Sequence, residues 1–318
     1  MRELELLSHI YRSNPALPGS VTVPPGDDMG AIRVGGATLL VTVDQVADGV
    51  HVDLDNTSLE KVGRKAITRN LSDVAAMAAK PVGAVAAACL PKGFGGERAT
   101  ALFDAMRTTA EAFGCPLIGG DISAWDQQMI LTVTVFAEPD GIDPVLRSGA
   151  KVGDSVYVTG TLGGSLETLS DSPGPPGYVH HLDFVPRIAL ARRLAGDTAT
   201  RPSAMIDLSD GLAQDLTRIC ERSGVSARIA CNDLPISPGA RQAAKRSRKP
   251  VWQHALGDGE DYELCFTAPA GCMPSDVDGV PITAVGTIAE SGAGSRVTAV
   301  LQDGAVIDVS ELGWEHTG

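Results

Sequence analysis

The stretch Ala37-Thr38-Leu39-Leu40-Val41-Thr42-Val43-Asp44 is dense in β-branched and apolar residues and ends on a carboxylate. Such a run reads as a strand. A charged group delivered at a strand's C-terminal end stands where α/β proteins place their ligands. Four more acidic stretches share the setting: Gly26-Asp27-Asp28, Leu71-Ser72-Asp73, Gly119-Gly120-Asp121 and Ile206-Asp207-Leu208-Ser209-Asp210-Gly211. In the last of these, Asp207 and Asp210 are spaced i and i+3, which share a face in a helical turn. Ser209 and the amides of a helix start offer donors to an anion. A plain N-cap accounts for the same residues, because Asp and Ser favour that position. Several carboxylates gathered by strand ends and glycine turns repel one another, and divalent cations offset that repulsion.

Working outward, residues 2–12 read as a short amphipathic helix and 56–79 as a long one whose later, apolar half is interrupted by Asn70, Ser72 and Asp73. Residues 82–90 and 129–137 read as strands, and 95–113 as a second helix. The polar segment 138–153 carries Pro139, Gly141 and Pro144 and marks the boundary between a first domain, 1–140, and a second, 150–318. In the second half the pattern predicts strands over 155–159, 227–230, 262–267, 282–286 and 296–301, and helices over 185–194 and 211–223. Residues 171–177, with three prolines and two glycines, read as a surface loop. His180-His181 cannot share one helix face and read as structural or solvated.

The chain has 318 residues, enough for two domains with their own cores, and a hydrophobic content of 43%. Its longest apolar run, 74–91, is broken by Lys80-Pro81 and falls short of a membrane span. Met1-Arg2-Glu3-Leu4-Glu5 lacks the basic and apolar pattern of a signal peptide, so a cytoplasmic protein with no membrane association is expected. A net charge of −13 argues against nucleic acid as the main partner. Phosphates remain possible ligands through bridging metal ions. Six cysteines without Cys-x-x-Cys spacing read as reduced thiols rather than a zinc site or a disulfide frame. Neither a phosphate-binding Gly-x-x-x-x-Gly-Lys-[Ser/Thr] loop, a Gly-x-Gly-x-x-Gly turn nor a Gly-x-Ser-x-Gly elbow is present.

Taken in order, Gly26-Asp27-Asp28, Thr42-Val43-Asp44, Asn70-Leu71-Ser72-Asp73, Gly119-Gly120-Asp121, Arg147-Ser148-Gly149-Ala150, Ile206-Asp207-Leu208-Ser209-Asp210-Gly211 and Gly257-Asp258-Gly259-Glu260-Asp261-Tyr262-Glu263-Leu264 resemble the thiamine-monophosphate kinases. These belong to the aminoimidazole-ribonucleotide-synthetase-like superfamily of ATP-using proteins. The resemblance runs from about residue 5 to 316. It implies an α/β chain of the α+β type with a two-domain PurM-like fold, and a homodimer whose first domains pair through their sheets. It implies Mg2+-dependent transfer of phosphoryl from ATP to thiamine monophosphate. Carried over residue by residue, it puts Mg2+ on Asp28, Thr42, Asp44, Asp73, Asp121, Asp207 and Asp210, and ATP on Gly120, Asp121, Arg147 and Ser209. It puts the acceptor on His51, Glu260 and Trp314, and catalysis on Asp73, Asp121, Arg147 and Asp210. Asp27 adjoins the pattern as support for the ligands rather than as one of them.

Three positions depart from the family. Val43 stands where a hydroxyl residue is usual and can offer an ion only its backbone oxygen. Ile122-Ser123 replace two threonines, and Val52 replaces a phenylalanine after His51. Two other readings remain: a related enzyme with a different acceptor, and a metal- or nucleotide-binding protein without turnover. The relatives that act on selenide or a carbamoylated cysteine use a cysteine near one terminus. Here the first is Cys89 and the chain ends His316-Thr317-Gly318.

Overall fold

The computed structural model describes residues 15–167, 179–292 and 294–315, together with residues 6, 9, 10 and 13. The helix read over 2–12 falls mostly outside these residues, and the loop read over 171–177 falls wholly outside them.

The run that opens on Ala37 is a strand, β3 (Ala37–Ala47), at the heart of a six-stranded sheet. Its companions are β1 (Val21–Val23), β2 (Gly30–Val34), β4 (Lys80–Pro91), β5 (Leu117–Trp125) and β6 (Ile130–Glu138), ordered β1-β2-β3-β6-β4-β5. All neighbours are antiparallel except β4 and β5, the pair that a helix connects. Two helices cover one face: α1 (Leu59–Ala76) and α2 (Gly96–Ala112). The hydroxyl of Ser58 accepts from the amide of Lys61 and starts α1. Val62, Ile67, Leu71 and Val74 on α1 are fully buried, each contributing about 1.5–3 kcal/mol relative to exposure.

The second sheet runs β14-β13-β9-β12-β7-β10-β8, with β11 beside β12. Its strands are β7 (Asp154–Thr159), β8 (Ala204–Asp207), β9 (Val225–Ala230), β10 (Leu264–Pro269), β11 (Asp276–Val277), β12 (Val280–Glu290), β13 (Val297–Val300) and β14 (Val306–Asp308). Five helices accompany it: α3 (His180–Asp183), α4 (Ile188–Gly196), α5 (Leu212–Ser223), α6 (Pro238–Ser247) and α7 (Val251–Gly257). Ala75, Ala76 and Ala78, at the end of α1, share a core cluster with Leu190, Leu194, Met205 and Phe266. The same helix therefore packs on the first sheet and on the second, and whatever projects from it can reach both. No helix among the described residues is long and apolar enough to cross a membrane. All six cysteines are free thiols, with Cys115, Cys220 and Cys265 buried.

Several elements differ from the sequence reading. β1 and β2 flank Pro24-Pro25-Gly26, a turn whose prolines hid the short runs on either side. The helix expected from 185 starts at Ile188, since Pro186 disfavours a helical residue before it. α6 begins after Ser237 and is polar on much of its surface, which left little apolar period to read, and α7, after Pro250, is only seven residues long. β5 continues past Asp121 to Trp125.

One glycine sets the loop that packs against the segment carrying Glu260. Gly164 has φ +68, and a Cβ there would lie 2.1 Å from the Gly239 carbonyl carbon and 2.2 Å from the Ala240 nitrogen, both backbone atoms. Its amide donates to Asp258 Oδ2 at 3.0 Å and that of Gly163 to Asp261 Oδ1 at 2.9 Å, which tethers the segment carrying Glu260. Gly164→Ala is expected to destabilise the fold by about 3 kcal/mol or more, read as a lowered denaturant midpoint. An unchanged midpoint would mean that this approach is not as tight as the backbone positions require.

Candidate active site

On α1, Lys61, Lys65, Arg69 and Asp73 recur every four residues and so share one face. From Lys65 to Asp73 the stripe runs about 12 Å along the axis. Each member meets a group far away in sequence. Lys61 Nζ bonds Asp183 Oδ2 at 2.8 Å, and Lys65 bonds Glu260. Arg69 pairs with Asp44, and Asp73 accepts a short hydrogen bond from the Thr42 hydroxyl.

At the Asp73 end three carboxylates converge. Asp28, Asp73 and Asp207 each offer an oxygen, and these oxygens lie within 4.8 Å of one another. Asp28 comes from the turn between β1 and β2, Asp73 from α1, and Asp207 from the last residue of β8, so both sheets contribute. Ser72 donates to Asp207 Oδ2 at 2.6 Å. Arg147 grips Asp28 with two donors, Nε to Oδ2 at 3.2 Å and Nη2 to Oδ1 at 2.9 Å. Burial and the neighbouring acids raise Asp73 and Asp207 well above the usual carboxylate range. Asp27 supports the group from behind: its Oδ1 accepts the Arg147 amide at 2.9 Å, and burial pushes its carboxyl up to about 6.

At the other end lies a hollow of about 260 Å³, lined by Asp44, His51, Arg69, Ser209, Asp210, Glu260 and, at its mouth, Trp314. Trp314 is half exposed, with its amide donating to the Asp210 carbonyl at 2.9 Å. The His51 ring is fixed by the Ala47 amide, which donates to Nδ1 at 3.1 Å. Glu260 has a left-handed backbone, φ 53, and its amide donates to the Ser209 carbonyl at 2.7 Å. Its carboxylate meets Lys65 Nζ at 2.8 and 2.9 Å and His181 Nδ1 at 3.0 Å. Burial alone would raise the Glu260 carboxyl, but the His181 hydrogen bond and the Lys65 charge outweigh it and hold the group at about 2.

The structure thus brings together Asp28, Thr42, Asp44, Asp73, Arg147, Asp207, Ser209 and Asp210 with the hollow of His51, Glu260 and Trp314. Gly120 and Asp121 are not brought there within one chain. Cα registers run Gln45–Thr132–Ala87–Asp121 across β3, β6, β4 and β5. Asp121 is therefore three strands, about 14 Å, from β3, and it faces the side that Val43 faces rather than the side of Thr42 and Asp44. A strand end does deliver it, but strand parity and strand order aim it elsewhere. Val43 itself is exposed on that outer face, so its side chain is not directed at the acid cluster.

Two further details correct the sequence reading. Asp207 and Asp210 do not share a helical turn, because Asp207 closes β8 and α5 begins only at Leu212. Asp210 turns instead to Arg218. The amides of Asp210 and Gly211 are taken by Asp215 Oδ2, both at 3.1 Å, which leaves them closed to an anion. For His180 and His181 the structural alternative holds: both are partly buried, and His180 Nε2 meets the Asp261 carbonyl at 2.7 Å. Lys65 and Arg69 escaped the sequence reading, and nothing in it placed His181 beside Glu260. The spacing of four that sets both cations in register with Lys61 and Asp73 was the available sign.

Residues 26–138 match the family described as AIR synthase related protein, N-terminal domain. The thiamine-monophosphate kinase of Rhodopirellula baltica is 34% identical over 297 residues, covering 90% of this chain and 89% of that protein. That of Haemophilus influenzae is 32% identical, covering 99% and 98%. A solved structure of AaThiL complexed with AMPPCP and TMP has a TM-score of 0.82 at 29% identity and covers 99% of this chain and 97% of that one. The HypE–HypF complex, at TM-score 0.73 and 18% identity, bears on the fold alone. The two-sheet α/β arrangement is thus the PurM-like fold expected from the sequence. With about a third of its positions kept across nearly the whole of these relatives, the chain belongs to the thiamine-monophosphate kinase family.

Proposed function

We propose that this protein transfers the γ-phosphoryl group of ATP to the phosphate of thiamine monophosphate, giving thiamine diphosphate and ADP, with Mg2+ held by its acid cluster. The observation that carries the reading is the layout along α1, where an all-oxygen cluster and a hollow with an aromatic mouth stand at two ends of one stripe. Residues 1–140 act as the metal- and ATP-binding domain, and 150–318 as the second domain.

The donor set fits the ion. Asp28, Asp73 and Asp207 offer carboxylate oxygens with the Thr42 hydroxyl beside them, and such hard ligands suit Mg2+. Asp44 and Asp210 complete the set in this reading. Bound there, Mg2+ offsets the charge of two phosphate groups and stabilises the transferring phosphoryl. Arg147 and Ser209 serve ATP. Trp314 offers a flat face to a cationic ring, and Glu260, kept ionised, offers it a counter-charge. The acceptor oxygen of a phosphate monoester is already ionised near neutral pH, so no side chain has to remove a proton.

A homodimer belongs to the same reading. Helices cover one face of the first sheet, and the other leaves Val43 and Asp121 exposed. Pairing that face with a second copy gives Gly120 and Asp121 a role at a nucleotide held across the interface.

Incubation of the purified protein with ATP, Mg2+ and thiamine monophosphate should yield thiamine diphosphate and ADP in equal amounts, with loss of turnover in EDTA. A folded sample that makes none overturns the proposal.

A further inference from the structure

The hollow is lined by four carboxylates, those of Asp44, Asp210, Asp258 and Glu260. Among the described residues that line it, Arg69 alone carries a permanent positive charge. An acceptor bearing a phosphate has to enter this acidic space, and like unit charges about 4 Å apart repel by roughly 4 kcal/mol at an effective dielectric near 20.

Arg69 is placed to meet that phosphate. It sits midway on the α1 stripe, four residues from Lys65, which holds Glu260 in the hollow, and four from Asp73, which belongs to the acid cluster. The carboxylates acting on it are those of Asp44, Glu260 and Asp73, which puts it between the acceptor's side chains and the acid cluster. Its guanidinium is incompletely used. Nη1 donates to the Gln45 carbonyl at 2.6 Å, while Nη2 reaches Asp44 Oδ1 only at 3.5 Å. Nε lies 3.2 Å from Asp44 Oδ2 without the alignment of a hydrogen bond, and it is one of three buried side-chain nitrogens or oxygens lacking such a partner among the described residues. Nε and one Nη2 hydrogen face Asp44, which leaves the second hydrogens of Nη1 and Nη2, the end of the planar fork, for a phosphate oxygen in the hollow.

We infer that Arg69 binds the phosphate of the acceptor and presents it to the donor. This rests on the kinase reading and adds a substrate-binding residue to it. The fork selects a phosphorylated acceptor over the same ring system without phosphate. Arg69→Lys keeps the charge and loses the fork, whereas Arg69→Gln loses both.

The test is calorimetric binding of thiamine monophosphate and of thiamine, in Mg2+ buffer without nucleotide, to the wild type, Arg69→Lys and Arg69→Gln. Loss of a charge-assisted pair should weaken thiamine monophosphate about 10- to 100-fold in Arg69→Gln, with Arg69→Lys between it and the wild type. Thiamine should bind all three alike, and in turnover Arg69→Lys should raise KM for thiamine monophosphate while leaving KM for ATP unchanged. Equal weakening of both ligands would reduce Arg69 to a support of the pocket wall, and unchanged binding of both would remove it from the site. Either result overturns the inference while wild-type turnover continues. Failure of the wild type to turn over thiamine monophosphate would instead overturn the kinase reading itself.

Discussion

Asp73→Asn should lower thiamine diphosphate formation by about 10³-fold or more, since several kcal/mol of charge stabilisation depends on the cluster and each 1.36 kcal/mol is a factor of ten. The same change should leave the fold intact and make the metal-free protein more stable. Asp28, Asp73 and Asp207 bring three oxygens within 4.8 Å of one another, so folding without a cation forces like charges together. The molecule answers by taking up protons: burial first, and then the other acids, raise Asp73 and Asp207.

The sign follows directly. A carboxyl whose pKa is higher folded than unfolded binds more protons in the folded state, so its contribution to stability falls as pH rises above the unfolded value near 4. Metal-free wild type should therefore lose stability from pH 5 to pH 8 on account of these groups. Added Mg2+ should restore more of it at pH 8, because the ligands must be deprotonated to bind. In Asp73→Asn one charge of the cluster is gone. Its metal-free melting temperature at pH 8 should exceed the wild type's by about 2–4 °C, and its rise with Mg2+ should be smaller. Thermal melts at the two pH values with and without Mg2+ check this, and a variant that melts lower and keeps its Mg2+ shift would show that Asp73 is a structural acid.

The acids of this site could be read from sequence because each stands at a local discontinuity, such as a strand end, a glycine turn or a polar break in an apolar helix. β3 and β6 were legible for the same reason that they are stable: alternation along β6 buries one face and leaves the other part-exposed. Asp121 shows where such reading stops. Its strand was expected, but which face it takes depends on the β4–β5 register and on β6 lying between β3 and β4, and neither is a local property. The cations are the complementary case. A lysine or arginine within an apolar helix is tolerated only if paired, and the partners of Lys65 and Arg69 lie on a distant loop and on another strand. Composition and period could place both residues on one face of α1, but only the packing of two sheets against that helix shows what they touch.

Lys65→Met tests that packing. Lys65 is fully buried, and its Nζ meets Glu260 Oε1 and Oε2, the His51 carbonyl at 2.8 Å and His181 Nδ1 at 2.6 Å. Burial lowers its ammonium to about 8 against the pull of Glu260, while Glu260 is held at about 2. The desolvation of one partner thus roughly offsets the gain of the other, as is usual for a buried pair, and removing one side alone is what costs. Lys65→Met should therefore destabilise by about 3 kcal/mol. Adding Glu260→Met should recover most of that loss, since no charge is then left unpaired. Acceptor binding should separate from stability: KM for thiamine monophosphate should rise in the single and in the double variant, because Glu260 is unanchored in one and absent in the other. The pH profile gives an independent check. As pH climbs past about 8 the ammonium deprotonates, which relieves its burial but frees Glu260, so wild-type KM should rise there while that of Lys65→Met stays flat. For stability the sign is the reverse, since a lysine lowered in the fold binds fewer protons than in the unfolded chain between about 8 and 10.4, and its contribution improves with pH across that window. If the double variant regains both stability and wild-type KM, the ion pair only joins the two halves of the chain and Glu260 does not touch the acceptor.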